Sequence, residues 1–277
     1  MRETDAEPGA ALAADIGGTS IRAARVDADG RIVARKSGPT PADPREGLAR
    51  LREFWKDLGP ARAAALVVAG GIRTGTGEIT QSPNLLRWEG SKPGSELGCG
   101  VLNDADGALL GEAWLGALRG RRSALLVTLG TGVRGGVLID GRLWTGDAGG
   151  AGEIGHVTIH PDGPRCPCGN RGCLELYASA SAVARAAGQP DARAAAEAAR
   201  GGDAGARRAF DDAARALGIG LADVANLVNP EAICVGGGLA AAFDLLEERL
   251  EQVIRRRAFR LATERLVLTP ASLGEDA

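Results

Sequence analysis

The sequence is poor in aromatic side chains, only 3% of its residues, and it holds just two histidines and five cysteines. So little aromatic surface argues against a protein that binds nucleic acid by stacking bases. It also requires a core of valine, leucine, isoleucine and alanine, with 42 glycines to make tight strand-to-helix turns. An excess of one charge is absent as well. The 33 basic and 35 acidic residues leave a formal net charge of −2, so no bulk field recruits nucleic acid or an anionic membrane. The arginine clusters at 119–122 and 255–257 are short and read as solvated helix ends. No apolar run approaches the roughly 20 residues that span a bilayer. The first eleven residues carry two glutamates and an aspartate and do not resemble a signal peptide. A Pro/Ser-rich linker is missing too. These absences predict a soluble, cytoplasmic α/β protein, where clustered cysteines bind metal more readily than they form disulfides. The length of 277 residues suits two modest domains.

What is present begins with an apolar segment at 11–14 that runs into Asp15-Ile16-Gly17-Gly18-Thr19. Residues 21–27 and 31–35, joined by Asp29-Gly30, read as a β-hairpin. Leu48, Leu51, Phe54 and Trp55 have helical spacing, which predicts an amphipathic helix over 44–58. Strands are expected at 63–69 and 101–102, followed by a helix over 105–118. The pattern then restarts, with a strand at 124–129, the turn Gly130-Thr131-Gly132, a strand at 135–139 and the hairpin turn Asp140-Gly141. This is a weak internal repeat, offset by roughly 113 residues. Two related halves, each opening on a glycine turn of phosphate size, imply a nucleotide held between them. Alanine-rich helices are expected from 176 to 228, a strand over 231–235, the turn Gly236-Gly237-Gly238, a helix over 239–256 and a last strand at 265–268.

Several of these motifs carry chemistry. Asp15 at a strand end is suited to hold Mg²⁺, while the backbone of Gly17 and Gly18 and the hydroxyl of Thr19 suit a phosphate. An ordinary hairpin turn explains the same residues. The turns at Thr131-Gly132 and Gly236-Gly237 are equally weak alone. Three glycine turns, each after an apolar strand, together point to the carboxyl ends of sheet strands where α/β proteins bind nucleotides. Asn103-Asp104 opens a helix, so one residue can cap it while Asp104 serves as a general base.

The specific signal is Glu153-Ile154-Gly155-His156 followed by Cys166, Cys168, Cys173 and Glu175. It gathers three of five cysteines and one of two histidines within 18 residues. One imidazole and three thiolates form a full tetrahedral set for zinc, which leaves no open position for a catalytic water and makes the metal structural. His160 competes with His156 as the fourth ligand on spacing alone. Cys99 and Cys234 read as small buried hydrophobes.

Taken in order, these segments and Ser82-Pro83-Asn84 resemble the ROK family of sugar kinases, and within it the bacterial glucokinases. The resemblance implies a duplicated ribonuclease H-like, actin-like (hexokinase-type) fold, with sugar and ATP in an interdomain cleft. The expected division is a smaller α/β domain over 1–118 and a larger one over 119–277, with the zinc segment at 153–175. It implies phosphorylation of a hexose, foremost glucose, at the 6-hydroxyl with Asp104 as base. Asn84, Asn103, Glu153, His156 and Glu175 would bind the sugar. Asp15, Gly17, Gly18, Thr19, Thr131, Gly132, Gly236 and Gly237 would bind the nucleotide and its Mg²⁺. The family pattern selects His156, with Cys166, Cys168 and Cys173, as the zinc ligands. A homodimer or homotetramer is the family expectation.

Three departures stand against that pattern. Arg134 occupies a place where the family has a small residue, and is open to two readings, a phosphate contact or a crowding of the nucleotide site. Asp106 stands where relatives often carry Asn and is close enough in sequence to perturb Asp104. The chain stops at Ala277, where relatives continue into a further helix. The rival reading is a non-catalytic ROK sugar sensor; about eleven residues ahead of the first strand are too few for a DNA-binding domain. A kinase for mannose or an N-acetylated amino sugar is the third.

Overall fold

The structure, a computed structural model, describes residues 9–277. Two compact units form, one from residues up to 107 together with 145–150, the other from 108–144 and 151–277. In chain order the first contains β1 (Ala11–Ile16), β2 (Ser20–Val26), β3 (Ile32–Pro39), α1 (Pro44–Leu58), β4 (Ala63–Val68), β5 (Gly71–Ile72), β6 (Ile79–Gln81), α2 (Pro93–Leu97) and β7 (Gly100–Asn103). Helix α3 (Asp104–Trp114) contains the boundary between the units. The second unit continues with β8 (Ala124–Leu129), β9 (Val133–Ile139), β10 (Arg142–Leu143), α4 (Glu175–Ala178), α5 (Ala180–Ala186), α6 (Ala192–Arg200), α7 (Ala204–Val228), β11 (Ala232–Gly236), α8 (Glu247–Arg257), α9 (Arg260–Thr263) and β12 (Val267–Pro270).

The two sheets repeat one another. The first has the order β3-β2-β1-β4-β7 and the second β10-β9-β8-β11-β12. In each, three strands form an antiparallel meander and two more add in parallel on the far side of the first strand. The internal repeat seen in sequence is therefore a repeat of topology, and the fold is the duplicated actin-like, hexokinase-type class.

Local chemistry explains the elements. Helix α1 is capped by the Asp43 side chain, which accepts from the Arg45 N–H, starts on Pro44 and stops at Gly59. Its Leu48, Leu51 and Leu58 are buried against Leu12, Ile16, Ile21, Leu66 and Trp88. Strand β8 is buried on both faces, as a central strand of an α/β sheet must be. Leu125, Val127 and Leu129 join the cluster with Phe210 and Leu217 of α7, whereas Ala124 and Leu126 face Leu109 and Leu118. Alternation with period two sorts these side chains to the two layers.

The structure departs from several expected extents; β3 runs on to Pro39 and β9 begins at Val133. Helix α3 ends at Trp114, not 118, because Glu112 turns back on the chain: its carboxylate accepts from the N–H groups of Ala117, Ser272 and Leu273 and from the Ser272 hydroxyl. Glu112 is fully buried, and these four donors take the place of water. The expected helix over 239–256 is broken, a 3₁₀ segment at Ala240–Leu245 with a non-helical Ala242 preceding α8. The last strand lies at Val267–Pro270, later than expected. Among the described residues no helix is long and apolar enough to cross a membrane.

Candidate active site and metal centre

In the first unit, strand β1 delivers Asp15 to the edge of a tight turn closed by a hydrogen bond from the Gly17 N–H to the Ser20 carbonyl, 3.0 Å. The Thr40 side chain and backbone N–H bind the carbonyls of Gly17 and Thr19, pinning the turn from β3's end. The N–H groups of Gly18 and Thr19 form no hydrogen bond among the described residues, and both residues are exposed. They are available to an anionic ligand. Asp15 is engaged on one side: Arg22, its cross-strand partner on β2, donates to Oδ2 from Nε at 3.1 Å and from a terminal nitrogen at 2.7 Å. Oδ1 is the oxygen left for a hydrated cation. Gly18 lies against Asn84, whose Cβ and carbonyl oxygen fill the space a side chain at position 18 would need. Asn84 and the glycine turn are thus neighbours.

Strand β7 ends at Asn103, and α3 begins at Asp104. Asn103 is buried, its amide donating to the Gly70 carbonyl and its oxygen accepting from the Ala105 N–H, both at 2.8 Å. It ties two strand ends together and retains one amide N–H for a ligand. Asp104, by contrast, is exposed, with Oδ1 accepting from the Ala105 N–H at 2.9 Å. The two adjacent residues thus share the Ala105 N–H, Asn103 from a buried position and Asp104 from an exposed one.

In the second unit the turn at Gly130–Gly132 follows β8, and Thr131 is exposed. The turn after β11 sits beside it, with the Leu239 N–H bonding the Leu129 carbonyl at 3.2 Å. The nucleotide candidates Thr131, Gly132, Gly236 and Gly237 are brought together at the carboxyl ends of β8 and β11. Gly132 also has a second role. Any side chain there would strike the Glu175 carboxylate, whose Oε2 accepts from the Val133 N–H at 3.0 Å. Next along β9, Arg134 makes an ion pair of 2.7 Å with Glu153 Oε1. The following residue, Gly135, donates its N–H to the Gly152 carbonyl at 2.8 Å. Three consecutive residues of β9 thus hold both glutamates and the loop that carries one of them. Arg134 is not among the atoms nearest Gly130, Gly132, Gly236 or Gly237. Sequence reasoning missed its partner, since no local periodicity links a β9 residue to Glu153.

His156 ends a short 3₁₀ turn at Ile154–His156, and its chain runs alongside the cysteine segment: Leu174 N–H bonds the Val157 carbonyl at 3.0 Å and Ile159 N–H the Gly172 carbonyl at 2.9 Å. Cys166, Cys168 and Cys173 bring their sulfurs to His156, the four ligand atoms all lying within 4.8 Å of one another. Zn–S bonds of about 2.3 Å and Zn–N bonds of about 2.0 Å in a tetrahedron require S···S of about 3.8 Å and S···N of about 3.5 Å. The observed Cys168–Cys173 separation is 3.7 Å, and Cys166 Sγ lies 3.8 Å from His156 Nδ1. The donor set fits a zinc ion. Without a cation such crowding is unfavourable. Burial, and then the neighbouring thiols, push the Cys173 thiol up to about 12, and burial raises Cys166 too, while the Asn170 backbone amide lowers Cys168. A dication among them reverses that balance. His160 takes no part; its ring packs on Tyr177 at 5.2 Å. Cys234 is fully buried in the core and Cys99 is half-buried.

A duplicated actin-like fold with glycine turns at strand ends and a carboxylate at a helix start is an arrangement able to hold phosphates and a small polar molecule. Comparison with known proteins narrows it. A sequence model described as the ROK family matches residues 11–277. A glucokinase of Halalkalibacterium halodurans is 34% identical, over 95% of this chain and 90% of that protein. An N-acetylmannosamine kinase of Citrobacter koseri is 36% identical, over 96% and 94%. Among solved structures, a ROK family glucokinase from Streptomyces griseus in complex with glucose and AMPPNP superposes with a TM-score of 0.81 at 31% identity, over 96% of this chain and 95% of that one. The chain belongs to the ROK family, and it is a sugar kinase of that family.

Proposed function

We propose that the protein transfers the γ-phosphoryl group of ATP to the 6-hydroxyl of a hexose, glucose in first place. The observation that carries this reading is the pair Asn103-Asp104 where β7 passes into α3. The buried Asn103 fixes the turn, and the exposed Asp104 offers a carboxylate at a strand end. Asp104 would accept the 6-hydroxyl proton as that oxygen attacks the γ-phosphorus and the bond to the β-phosphate oxygen breaks, releasing ADP. Such a transfer needs positioning and charge neutralisation more than covalent help.

The sugar is neutral and rich in hydroxyls, so its binding calls for fixed acceptors and donors. Glu175 and Glu153 are each anchored through one oxygen and would accept sugar hydroxyls with the other. His156 would present the opposite polarity. With Nδ1 given to zinc, its ring proton resides on Nε2, which becomes a donor. Asn84 and the remaining N–H of Asn103 complete the set. Zinc would supply rigidity and the tautomer of His156, with no part in the transfer. The N–H groups of Gly18 and Thr19 and the turns at Thr131-Gly132 and Gly236-Gly237 would receive ATP, with its Mg²⁺ near Oδ1 of Asp15.

The likeness to an N-acetylmannosamine kinase at 36% identity supports a second reading, in which the substrate is an N-acetylated amino sugar. One experiment addresses both. Purified protein with Mg-ATP is offered glucose, mannose, N-acetylglucosamine and N-acetylmannosamine, and ADP is followed by a coupled assay. Glucose-dependent ADP at the highest kcat/KM is expected. A higher kcat/KM for N-acetylmannosamine replaces the first reading by the second, and sugar binding without ADP from any sugar rejects both.

A further inference from the structure

We infer that Arg134 is a positioning residue of the sugar site, acting through Glu153, and not a contact to the nucleotide. This rests on the assignment of Glu153 to the sugar. Strand β9 begins with Val133, Arg134 and Gly135, which engage Glu175, Glu153 and Gly152 in turn. The Arg134 side chain is held in its course by a backbone whose carbonyl accepts from the Thr128 hydroxyl at 3.3 Å. Its terminal nitrogen is 2.7 Å from Glu153 Oε1, and both side chains are half-buried, at 20% and 35% exposure. Burial to that degree protects an ion pair from much of the screening that weakens surface pairs.

Glu153 has no other side-chain anchor among the described residues: its carboxylate is engaged by this ion pair alone, and the backbone before it turns through Gly152 at φ +84°. A glutamate with three rotatable bonds on such a loop samples several rotamers, and ordering it on sugar binding costs affinity. The guanidinium removes that cost in advance. It occupies Oε1 and leaves Oε2 as a single oriented acceptor, and it neutralises a charge that a neutral sugar does not need. A guanidinium suits this half-buried place because it is always charged, planar and more weakly hydrated than a lysine ammonium.

The test is a double-mutant cycle on the full chain, with kcat and both KM values measured for wild type, Arg134→Ala, Arg134→Lys, Glu153→Gln and the Arg134→Ala/Glu153→Gln double variant. Arg134→Ala is expected to raise the sugar KM about tenfold with kcat and the ATP KM changed less than about threefold. Arg134→Lys recovers part of the loss, and Arg134→Ala adds less than about twofold in the Glu153→Gln background. A raised ATP KM with an unchanged sugar KM, or effects that multiply independently, overturns the inference. If Glu153→Gln raises the sugar KM while Arg134→Ala is silent, Arg134 alone loses its role. If Glu153→Gln leaves the sugar KM unchanged, the sugar-site assignment of Glu153 falls and the role of Arg134 with it.

Discussion

In both units the first sheet strand is followed by a glycine turn and an antiparallel partner that carries an arginine, but the two arginines are used differently. Arg22 on β2 faces Asp15 across the strand pair and neutralises it locally. Arg134 on β9 faces Thr128, which has no charge, and reaches Glu153 instead. The difference lies in the segment after each meander. In the first unit β3 leads by Pro44–Leu58 straight to the next sheet strand, whereas in the second the chain after β10 makes the loop with Glu153, His156 and the cysteines before its helices begin. One duplicated scaffold thus offers glycine turns in both halves, while the segment after the meander of one half carries the His/Cys cluster together with Glu153.

That contrast is broken most severely at the insertion. Cys173→Ser, which removes a buried ligand, should abolish stoichiometric zinc, expected at one per chain by elemental analysis, and weaken sugar binding by about 100-fold. The same site gives a pH dependence. Cys173 and Cys166 hold their protons above the usual thiol range without metal, so zinc binding must release protons. With Cys173 pushed up to about 12, protons compete with zinc throughout the range below it, so a chelator should strip more zinc at each step of falling pH. Retention independent of pH would exclude thiolate ligation. A smaller effect should appear in the other half. Arg22→Ala leaves Asp15 without its strand partner beside the Gly17-Gly18 turn, and is expected to raise the ATP KM about fivefold with the sugar KM unchanged. Should Arg22→Ala act on the sugar and Arg134→Ala on ATP, the comparison is inverted.

Much of this was legible in the chain. The helix Pro44–Leu58 follows from Asp43, Pro44 and Gly59 together with its leucine spacing. The cysteine cluster follows from ligand spacing, since residues so near in sequence need only a few turns to meet. The repeat was visible because strand, glycine turn and hairpin recur in order. The features that escaped depend on distant partners. Glu112 stops its helix by binding Ser272 and Leu273, residues no local pattern connects to it. Arg134 and Glu153 belong to different segments, and only the register of β9 against the Gly152 loop joins them. The break at Ala242 likewise lies inside an alanine-rich run whose propensity favours a continuous helix, and the fold overrides it.

The central claim is that Asp104 removes the proton from the sugar hydroxyl while the glutamates and His156 hold the sugar without it. Calorimetric sugar binding and steady-state turnover of Asp104→Asn test this most directly. On that claim, sugar affinity within about threefold of wild type and turnover reduced by about 1,000-fold or more are expected. Turnover near the wild-type rate with sugar affinity intact would contradict it.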